Sequence, residues 1–205
     1  MKFVTKLALH PDEKEAVFSL RYRVYAEEYE YINPADYRDR KEYDLYDEQA
    51  ALFLTTHGDE PAATMRIIVK SPAVPEFPTE KFFRRHITPV NEQYFRLLQS
   101  LEKEGRVVAE GSRVAIPAAY RKTRAFLSLV QAAFFYCRKK GITDMIGICN
   151  CFDNIPQLYA KIGFQPVGKS FYYQSFHAEV QLMHGSMENL TGRRRKMVLP
   201  PAAQW

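Results

Sequence analysis

Hydrophobic residues recur along the chain at two spacings, and these spacings predict an alternation of strands and helices. Apolar positions two residues apart favour β-strands, whereas spacings of three and four residues favour α-helices. Glycine or proline stands at several of the boundaries between the two patterns. The predicted strands are 3–9, 50–56, 62–69, 106–116, 142–149 and a final pair within 164–184; the predicted helices begin at Pro11 and cover 91–104, 125–140 and 154–162.

Two long segments follow neither spacing. Residues 30–49 are polar, aromatic and irregular, and residues 71–89 combine several prolines with aromatic residues. Because proline disrupts both helix interiors and sheet interiors, the sequence predicts an ordered loop at 71–89. With strands and helices in this order, the simplest packing is an α/β fold in which one mixed sheet has helices on both faces.

The length and composition indicate one globular domain. A chain of 205 residues with 46% hydrophobic and 14% aromatic residues can bury a full core, and its length corresponds to about one domain. We assign this domain to residues 1–184. Residues 185–205, which include the basic run RRRK at 193–196, are predicted to form a loosely held tail.

Charge and hydropathy exclude several classes of protein. The formal net charge of +5 suits an acidic partner, but lysine and arginine lie near aspartate and glutamate almost everywhere, and we expect no nucleic-acid partner. No stretch approaches the roughly 18 to 20 apolar residues that span a bilayer. The start of the chain is mixed in character and does not resemble a signal peptide, so the cytoplasm is the expected location.

The cysteines and histidines do not follow metal-ligand spacings. Cys137, Cys149 and Cys151 are odd in number and lack a C-x-x-C pattern, which favours reduced, packed thiols over disulfides. The five histidines are scattered along the chain. We therefore expect no metal site.

Charged side chains interrupt several runs that otherwise have the composition of a core. Charges are rarely buried unless they are paired, so these residues should meet one another or a polar ligand in the folded chain. The sequence therefore predicts a site where they meet. The residues are Arg21 in LRYRVY, Asp44 and Asp47 in KEYDLYD, Arg66 in AATMRII, and Glu110 and Arg113 in VVAEGSRVAI.

These residues and the order of the elements carry a resemblance to a known family. The succession of helix, acidic loop, hairpin, glycine-interrupted strand, apolar helix, strand and LYAKIGF resembles the GNAT acyltransferase fold. Within that superfamily, roughly residues 15–165 resemble the acyl-homoserine-lactone synthases and the N-acyl amino acid synthases. The matching positions are Arg21 and Tyr25 in the first helix, Glu42, Asp44 and Asp47 as E-x-D-x-x-D, Arg66 in a strand, and Glu110, Ser112 and Arg113 as E-x-S-R.

One departure from the lactone synthases favours the second group. Lactone synthases usually have a tryptophan shortly after the first-helix aromatic residue, whereas this chain has Tyr31 there. The resemblance therefore implies an N-acyltransferase that moves a medium or long fatty acyl group from a carrier thioester to a small amine, most simply an amino acid. The alternatives are a lactone synthase that uses S-adenosylmethionine and a non-catalytic module that binds an acyl group or an acidic partner.

The resemblance also implies a place for the acyl donor. The glycines of the usual coenzyme-A loop, Q/R-x-x-G-x-G/A, are absent, and Arg121, Lys122 and Arg124 stand there instead. A helix start with positive charges still suits the phosphate of a pantetheine arm. Acyl carrier protein or acyl-coenzyme A then serves as co-substrate, with no tightly bound cofactor, and the acidity of carrier proteins favours the carrier protein.

The same resemblance assigns roles within the site. Glu110 is the expected general base for the amine, and a bulge at the following glycine would turn backbone N–H groups toward the thioester oxygen. Ser112 and Arg113 complete the catalytic set, and Arg113 is expected between Asp44 and Asp47. The alternative is a structural ion network that does not touch substrate. The expected substrate-binding residues are Arg21, Tyr25, Tyr31, Glu42, Asp44, Asp47 and Arg66.

Overall fold

The structure is a computed structural model that describes residues 2–192, so the basic run at 193–196 lies outside the described residues. The described part contains eight strands, which form one mixed sheet. The strands are β1 (Phe3–Leu7), β2 (Ala51–His57), β3 (Glu60–Val69), β4 (Val108–Ala115), β5 (Asp144–Asn150), β6 (Gln165–Pro166), β7 (Phe171–Tyr173) and β8 (Ala178–Ser186). Across the sheet their order is β1, β2, β3, β4, β5, β8, β6, and β7 also pairs with β8.

Six α-helices accompany the strands in the described part of the chain, which confirms the predicted α/β fold class. The first helix continues without a break into a π-helix at Arg23–Glu28, a wider helical turn that is frequent at functional sites. The helices are α1 (Pro11–Tyr22), α2 (Pro78–Arg85), α3 (Asn91–Lys103), α4 (Ala125–Lys139), α5 (Ile155–Lys161) and α6 (Met187–Gly192).

Helix α2 shows that the prediction of a loop at 71–89 was wrong. Pro78 occupies the first turn of α2, where its missing N–H leaves no intrahelical hydrogen bond unmade. The carboxylate of Glu80 reaches back and accepts a hydrogen bond from the N–H of Phe77 at 3.4 Å. Proline therefore marks the start of this helix and does not exclude it.

The end of the last strand also differs from the prediction. β8 ends at Ser186 and the helix Met187–Gly192 follows directly, so regular structure occupies positions that the sequence assigned to a loose tail from residue 185. The carboxylate of Glu188 pairs with the guanidinium of Arg106 at 3.1 Å. This ion pair connects the first turn of the helix to Arg106, which lies just before β4.

The described chain separates into two compact units. The first comprises residues 2–67 and 112–136, and the second comprises residues 68–111 and 137–192. Strands β3 and β4 and helix α4 each contribute residues to both units.

Among the described residues, two buried apolar clusters lie within the first unit. Full burial of a valine or leucine side chain contributes about 1.5–3 kcal/mol, so each cluster stabilises the elements that it joins. One cluster joins α1 to β2, and the other joins the π-helix to the end of β4. The first contains Ala8, Val17, Leu52 and Leu54, and the second contains Val24, Tyr25 and Ala115.

In the second unit, β5 has a neighbour on each side. β8 pairs with it in antiparallel orientation, from Asp144 opposite Ser186 to Asn150 opposite Val180. The parallel pairing with β4 covers three residues of each strand, and its last pair is Glu110 opposite Ile146. A predicted site residue therefore stands at the end of this parallel ladder.

None of the helices in residues 2–192 is long and apolar enough to cross a membrane. Within the same residues, no three side chains of His, Cys, Asp or Glu come together as a metal site. The cysteines are free, and burial raises the pKa of Cys137 and of Cys149 to about 12. Both are therefore protonated thiols at neutral pH.

Candidate active site

The first helix presents two of the predicted site residues. Arg21 lies in the last turn of α1 and is fully buried. Tyr25 lies in the π-helix, and its hydroxyl donates a hydrogen bond to the carbonyl oxygen of Val114 at 3.1 Å. Burial raises the pKa of Tyr25 above its ordinary value, so the phenol stays protonated at neutral pH. The wide helical turn thus fixes Tyr25 against the end of β4.

Glu42, Asp44 and Asp47 lie on a turn that two of these carboxylates stabilise. Asp44 Oδ1 accepts a hydrogen bond from the N–H of Tyr46 at 2.9 Å, at the start of the short 3-10 helix Leu45–Gln49. Asp47 Oδ2 accepts a hydrogen bond from the N–H of Asp44 at 2.9 Å. These reciprocal bonds satisfy N–H groups that the helix start would leave free. The other carboxylate oxygen of Asp47, Oδ1, is therefore available to pair with Arg21 and Arg66.

Asp47 lies between two fully buried guanidinium groups. Its Oδ1 is 2.8 Å from Arg21 Nη1 and 3.1 Å from Arg66 Nη1. Burial alone would raise the pKa of the Asp47 carboxyl, but the two cations outweigh this effect and hold its pKa below the usual value. Asp47 is therefore ionised at neutral pH and compensates part of the buried positive charge.

The sequence predicts Arg113 between Asp44 and Asp47, but the structure places it between Glu42 and Asp44. Its Nε pairs with Glu42 Oε1 at 2.8 Å, and its Nη2 pairs with Asp44 Oδ2 at 3.3 Å. The reason is that the oxygen of Asp47 that does not serve the turn already binds the other two arginines. The Arg113 side chain is 22% exposed, in contrast to those two arginines.

The charges form one network in which arginines and carboxylates alternate. Arg66 connects Asp44 with Ser112. The Nη1 atom of Arg66 is 2.6 Å from Asp44 Oδ1, and its Nε donates a hydrogen bond to Ser112 Oγ at 3.1 Å. Glu42 Oε2 lies 3.7 Å from Arg21 Nη1. The structure thus brings together seven predicted site residues of the first unit: Arg21, Glu42, Asp44, Asp47, Arg66, Ser112 and Arg113.

The backbone of Arg113 is left-handed, with φ of 55°. A non-glycine residue in this conformation costs about 1–3 kcal/mol and persists only where the surrounding structure fixes it. The ion pairs of Arg113 with Glu42 and Asp44 supply that constraint. Strain of this kind clusters at functional sites, so the conformation agrees with a site at this point.

Several buried polar atoms of the network have no hydrogen-bond partner among the described residues. They are Nε and Nη2 of Arg21, Nη2 of Arg66 and Oε2 of Glu42. An unpaired buried donor or acceptor costs about 1–3 kcal/mol, and a charged group costs more. In the described part of the chain, three cationic donors and one anionic acceptor of the network thus lack a hydrogen-bond partner.

Tyr31 packs close to the end of the first helix. Its ring stacks on Tyr29, with ring centroids 4.9 Å apart and 8° between the planes. Its N–H donates a hydrogen bond to the carbonyl oxygen of Tyr25 at 2.7 Å. The structure therefore places Tyr31 beside another predicted site residue, within an aromatic surface.

Glu28 is a polar residue that the sequence analysis missed. Its carboxylate pairs with the guanidinium of Arg121 and accepts a hydrogen bond from the N–H of Ala118 at 3.0 Å. Arg121 also donates to the carbonyl oxygen of Ile116 at 3.0 Å, and its guanidinium carbon lies 4.3 Å from the ring centroid of Tyr29. Nothing in the spacing of Glu28 distinguishes it from an acidic residue on a helix surface. Arg121, predicted to bind the donor, is thus held in place by Glu28.

The other two cations predicted to bind the donor are exposed. Lys122 has a left-handed backbone with φ of 65°, and Arg124 directly precedes α4. Between them, the Thr123 hydroxyl donates to the carbonyl oxygen of Tyr120 at 2.6 Å and accepts from the N–H of Ala125 at 3.2 Å. The turn before α4 is therefore ordered by Thr123 and presents two charged side chains to solvent.

Glu110 is the predicted site residue that belongs to the second unit. It is 1% exposed, and its Oε2 accepts a hydrogen bond from the N–H of Thr79 at 3.0 Å. Thr79 lies in the first turn of α2, and a helix N-terminus stabilises negative charge. This contact was not predictable from the sequence, because the prolines of residues 71–89 predicted a loop where α2 lies.

Solved structures show that the fold is shared with acyltransferases. FeeM, an N-acyl amino acid synthase from uncultured soil microbes, aligns with a TM-score of 0.67 and 18% identity over 97% of this chain and 96% of that chain. BjaI, a CoA-dependent acyl-homoserine lactone synthase, aligns with a TM-score of 0.66 and 20% identity over 98% and 92%. A putative N-acetyltransferase from Lactobacillus plantarum aligns with a TM-score of 0.58 and 17% identity over 91% and 99%. These similarities confirm the predicted GNAT-like fold.

The sequence itself identifies the family. No curated protein matches the chain. The family model described as N-acyl amino acid synthase FeeM matches residues 16–186, a range that contains every predicted site residue. The chain therefore belongs to the FeeM family of N-acyl amino acid synthases and is an acyltransferase.

Proposed function

We propose that this acyltransferase moves a medium or long fatty acyl group from an acyl carrier protein to the amino group of an amino acid. The observation that carries the proposal is the group of buried atoms of Arg21, Arg66 and Glu42 that lack hydrogen-bond partners among the described residues. Guanidinium N–H groups bind a carboxylate strongly, and a carboxylate oxygen accepts from an ammonium. An amino acid offers both groups, and FeeM, which has the same fold, is an N-acyl amino acid synthase.

The amino acid enters from the exposed side of the network. The side chains of Asp44 and Arg113 are 28% and 22% exposed, whereas those of Arg21 and Arg66 are fully buried. The contact between Arg113 and Asp44 is long, at 3.3 Å, and is therefore a weak hydrogen bond. A zwitterion displaces it first and then reaches the unpartnered donors.

The carrier protein docks at the turn before α4. Lys122 and Arg124 are exposed there, and acyl carrier proteins are acidic, so complementary charge steers the two proteins together. Arg121 lies in the same turn, fixed by Glu28, and provides a further positive charge for the phosphate of the pantetheine arm. Both substrates of this reaction are cytoplasmic, which is where we propose that the enzyme acts.

The chemistry replaces a C–S bond with a C–N bond. The free amine attacks the thioester carbonyl carbon while Glu110 takes the amine proton, directly or through one water molecule. Backbone N–H groups near Gly111 stabilise the oxyanion of the tetrahedral intermediate. When the intermediate collapses, the C–S bond breaks, and the proton held by Glu110 passes to the leaving thiolate. The products are an N-acyl amino acid and the carrier thiol.

The test is the mass of the product formed from a long-chain acyl carrier thioester and a mixture of amino acids. We expect an N-acyl amino acid, and a kcat/KM for the carrier thioester far above that for acetyl-coenzyme A. The matched control is the methyl ester of the preferred amino acid, which keeps the amine but loses the carboxylate. Because charged hydrogen bonds contribute about 1.5–3 kcal/mol, the ester should react about 10 to 100 times less efficiently.

Two products would contradict this proposal. Release of an acyl-homoserine lactone on addition of S-adenosylmethionine would assign the lactone synthase reaction. Preferential acetylation from acetyl-coenzyme A would mean that the donor is neither long nor carried by a protein.

Charge reversal at the turn before α4 tests the carrier surface. Lys122→Glu with Arg124→Glu should raise the KM for the acyl carrier thioester by about tenfold, a change of about 1.4 kcal/mol, while the KM for the amino acid stays unchanged. The effect should shrink as salt is added, because exposed charges are screened. Steady-state kinetics at two salt concentrations measure it.

The matched control reverses the exposed charges of Lys139 and Lys140 at the other end of α4. It changes the net charge by the same amount but should leave the KM for the carrier thioester unchanged. A rise in KM for the control alone would indicate that the carrier protein docks at the end of α4 that carries Lys139 and Lys140.

A further inference from the structure

Gly147 lies where β5 can carry no side chain. It follows Ile146, which forms the last parallel pair with β4. A methyl carbon at Gly147 would lie well under 3.0 Å from the carbonyl oxygen of Gly111, a separation that such carbons essentially never show. The obstructing atom belongs to the backbone, so it cannot rotate away as the end of a flexible side chain could. Gly147 therefore permits the peptide group after Gly111 to point at β5.

That peptide group stands between the predicted catalytic residues. It links Gly111 to Ser112; Glu110 precedes Gly111 in the chain, and Arg113 follows Ser112. A peptide is planar, with its C=O and N–H on opposite sides, so any rotation that moves the carbonyl oxygen also redirects the N–H of Ser112. The rotation would change the directions in which the neighbouring side chains project.

The backbone on either side of this peptide has little freedom to absorb such a rotation. The Glu110 carboxylate is fixed to the N–H of Thr79 at 3.0 Å. Arg113 is already strained, with φ of 55°, and its guanidinium is held by Glu42 at 2.8 Å. A shift at Gly111 that reaches Glu110 or Arg113 would therefore break one of these contacts or displace the residues that make them.

We propose that Gly147 is a positioning residue for acyl transfer: the absence of its side chain sets the orientation of the peptide between Glu110 and Arg113. The role rests on the function proposed above for Glu110. Gly147 touches no reacting atom and acts through the backbone of β4. The backbone of Gly147 is not left-handed, so alanine is compatible with its conformation and only the steric contact is at issue.

The experiment compares Gly147→Ala with Gly58→Ala. Gly58 is left-handed, with φ of 64°, and nothing lies within 4 Å of an added carbon, so alanine there strains the β2–β3 turn without touching any neighbour. Both variants lose stability, and only the first meets the peptide of Gly111. Amide chemical shifts, melting temperature, kcat, KM and the pH profile of kcat are measured for both, with glycerol present to favour the folded state.

Gly147→Ala is expected to shift the amide resonances of residues 111–113 and to lower kcat by about 10- to 100-fold, the scale of a misplacement of about 1 Å, with little change in KM for the amino acid. The acidic limb of its pH profile should move, because the surroundings of Glu110 change. Gly58→Ala should lose stability and keep its kcat.

Four results would overturn the proposal, the last of them a set of unchanged amide shifts. One is wild-type kcat in Gly147→Ala, and another is a similar loss of kcat in both variants at matched melting temperatures. The third is a Gly147→Ala protein that remains unfolded in glycerol, since Gly147 would then be required for folding and not for positioning. The amide shifts need no substrate, so unchanged shifts at residues 111–113 reject the steric argument even if the wild-type protein transfers no acyl group to an amino acid.

Discussion

Glu110→Gln is expected to lower kcat by about 10²- to 10⁴-fold, the usual contribution of a general base. When the free amine attacks the thioester, its nitrogen becomes positively charged and must lose a proton, and without a base this proton passes to water less readily. Glutamine keeps the length of the side chain, and its amide oxygen can still accept the hydrogen bond from the N–H of Thr79. The melting temperature and the KM for the acyl donor should therefore change little. Steady-state kinetics and thermal melts measure these quantities.

Glu80→Gln is the matched control for this result. Glu80 is also a buried glutamate close to the start of α2, but its carboxylate pairs with Lys70 at 3.0 Å and with Arg84 at 2.9 Å. Its loss should lower the melting temperature and leave kcat near the wild-type value. Full activity of Glu110→Gln would mean that another residue is the general base, and Asp47 would then be the first candidate. Unfolding of Glu110→Gln would assign Glu110 to the anchoring of α2.

Asp47→Asn is expected to lower the free energy of unfolding by about 3–5 kcal/mol, the scale for removing one partner of a buried ion pair. Asp47 is the shared counterion of Arg21 and Arg66, at 2.8 and 3.1 Å, and both guanidinium groups are fully buried. Asparagine keeps the shape and can still accept the hydrogen bond from the N–H of Asp44. For a chain of this size, the loss corresponds to a fall in melting temperature of about 6–20 °C.

The pH dependence gives this prediction a second measurement. The pKa of Asp47 is lower in the folded chain than in the unfolded chain, because Arg21 and Arg66 outweigh the effect of burial. Its charge therefore contributes stability above the unfolded pKa of about 3.9, and this contribution disappears as the pH falls through the lower folded pKa. The difference between the wild type and Asp47→Asn should be full at pH 7 and shrink below about pH 4.

An exposed ion pair provides the control. Glu92 and Arg96 pair on the surface of α3, where the side chains are 69% and 76% exposed. Glu92→Gln should change the free energy of unfolding by no more than about 1 kcal/mol. Equal melting temperatures for the wild type and Asp47→Asn would mean that other groups compensate the two buried arginines.

The sequence predicted that these charges meet, because single charged residues stand within apolar runs that are expected to be buried. Arg21, Arg66 and Asp47 stand in apolar surroundings, and charges there must meet one another. Which carboxylate pairs with which arginine was not predictable. Asp47 uses one oxygen to accept the N–H of Asp44 and the other to bind Arg21 and Arg66, so Arg113 pairs with Glu42 instead. Residue spacing carries no information on this detail of hydrogen bonding.

The missed features share another physical cause. Prolines at 71–89 predict a loop, but proline in the first turn of a helix costs no hydrogen bond. The contact between Glu110 and Thr79 was missed with that helix. A single sequence also lacks a signal for the π-helix, because apolar spacings of three and four residues are compatible with both helical forms over so short a segment.

The π-helix at Arg23–Glu28 makes the number of residues in the first helix a part of the site. If the same number of residues formed ordinary α-helical turns, each residue after the segment would be turned by about 100° around the helix axis. Glu28 would then face away from Arg121. Substitutions in this segment preserve the count, whereas a single-residue insertion or deletion changes it. The distance along the chain from Arg21 to Tyr31 is therefore as specific a requirement as the identity of either residue.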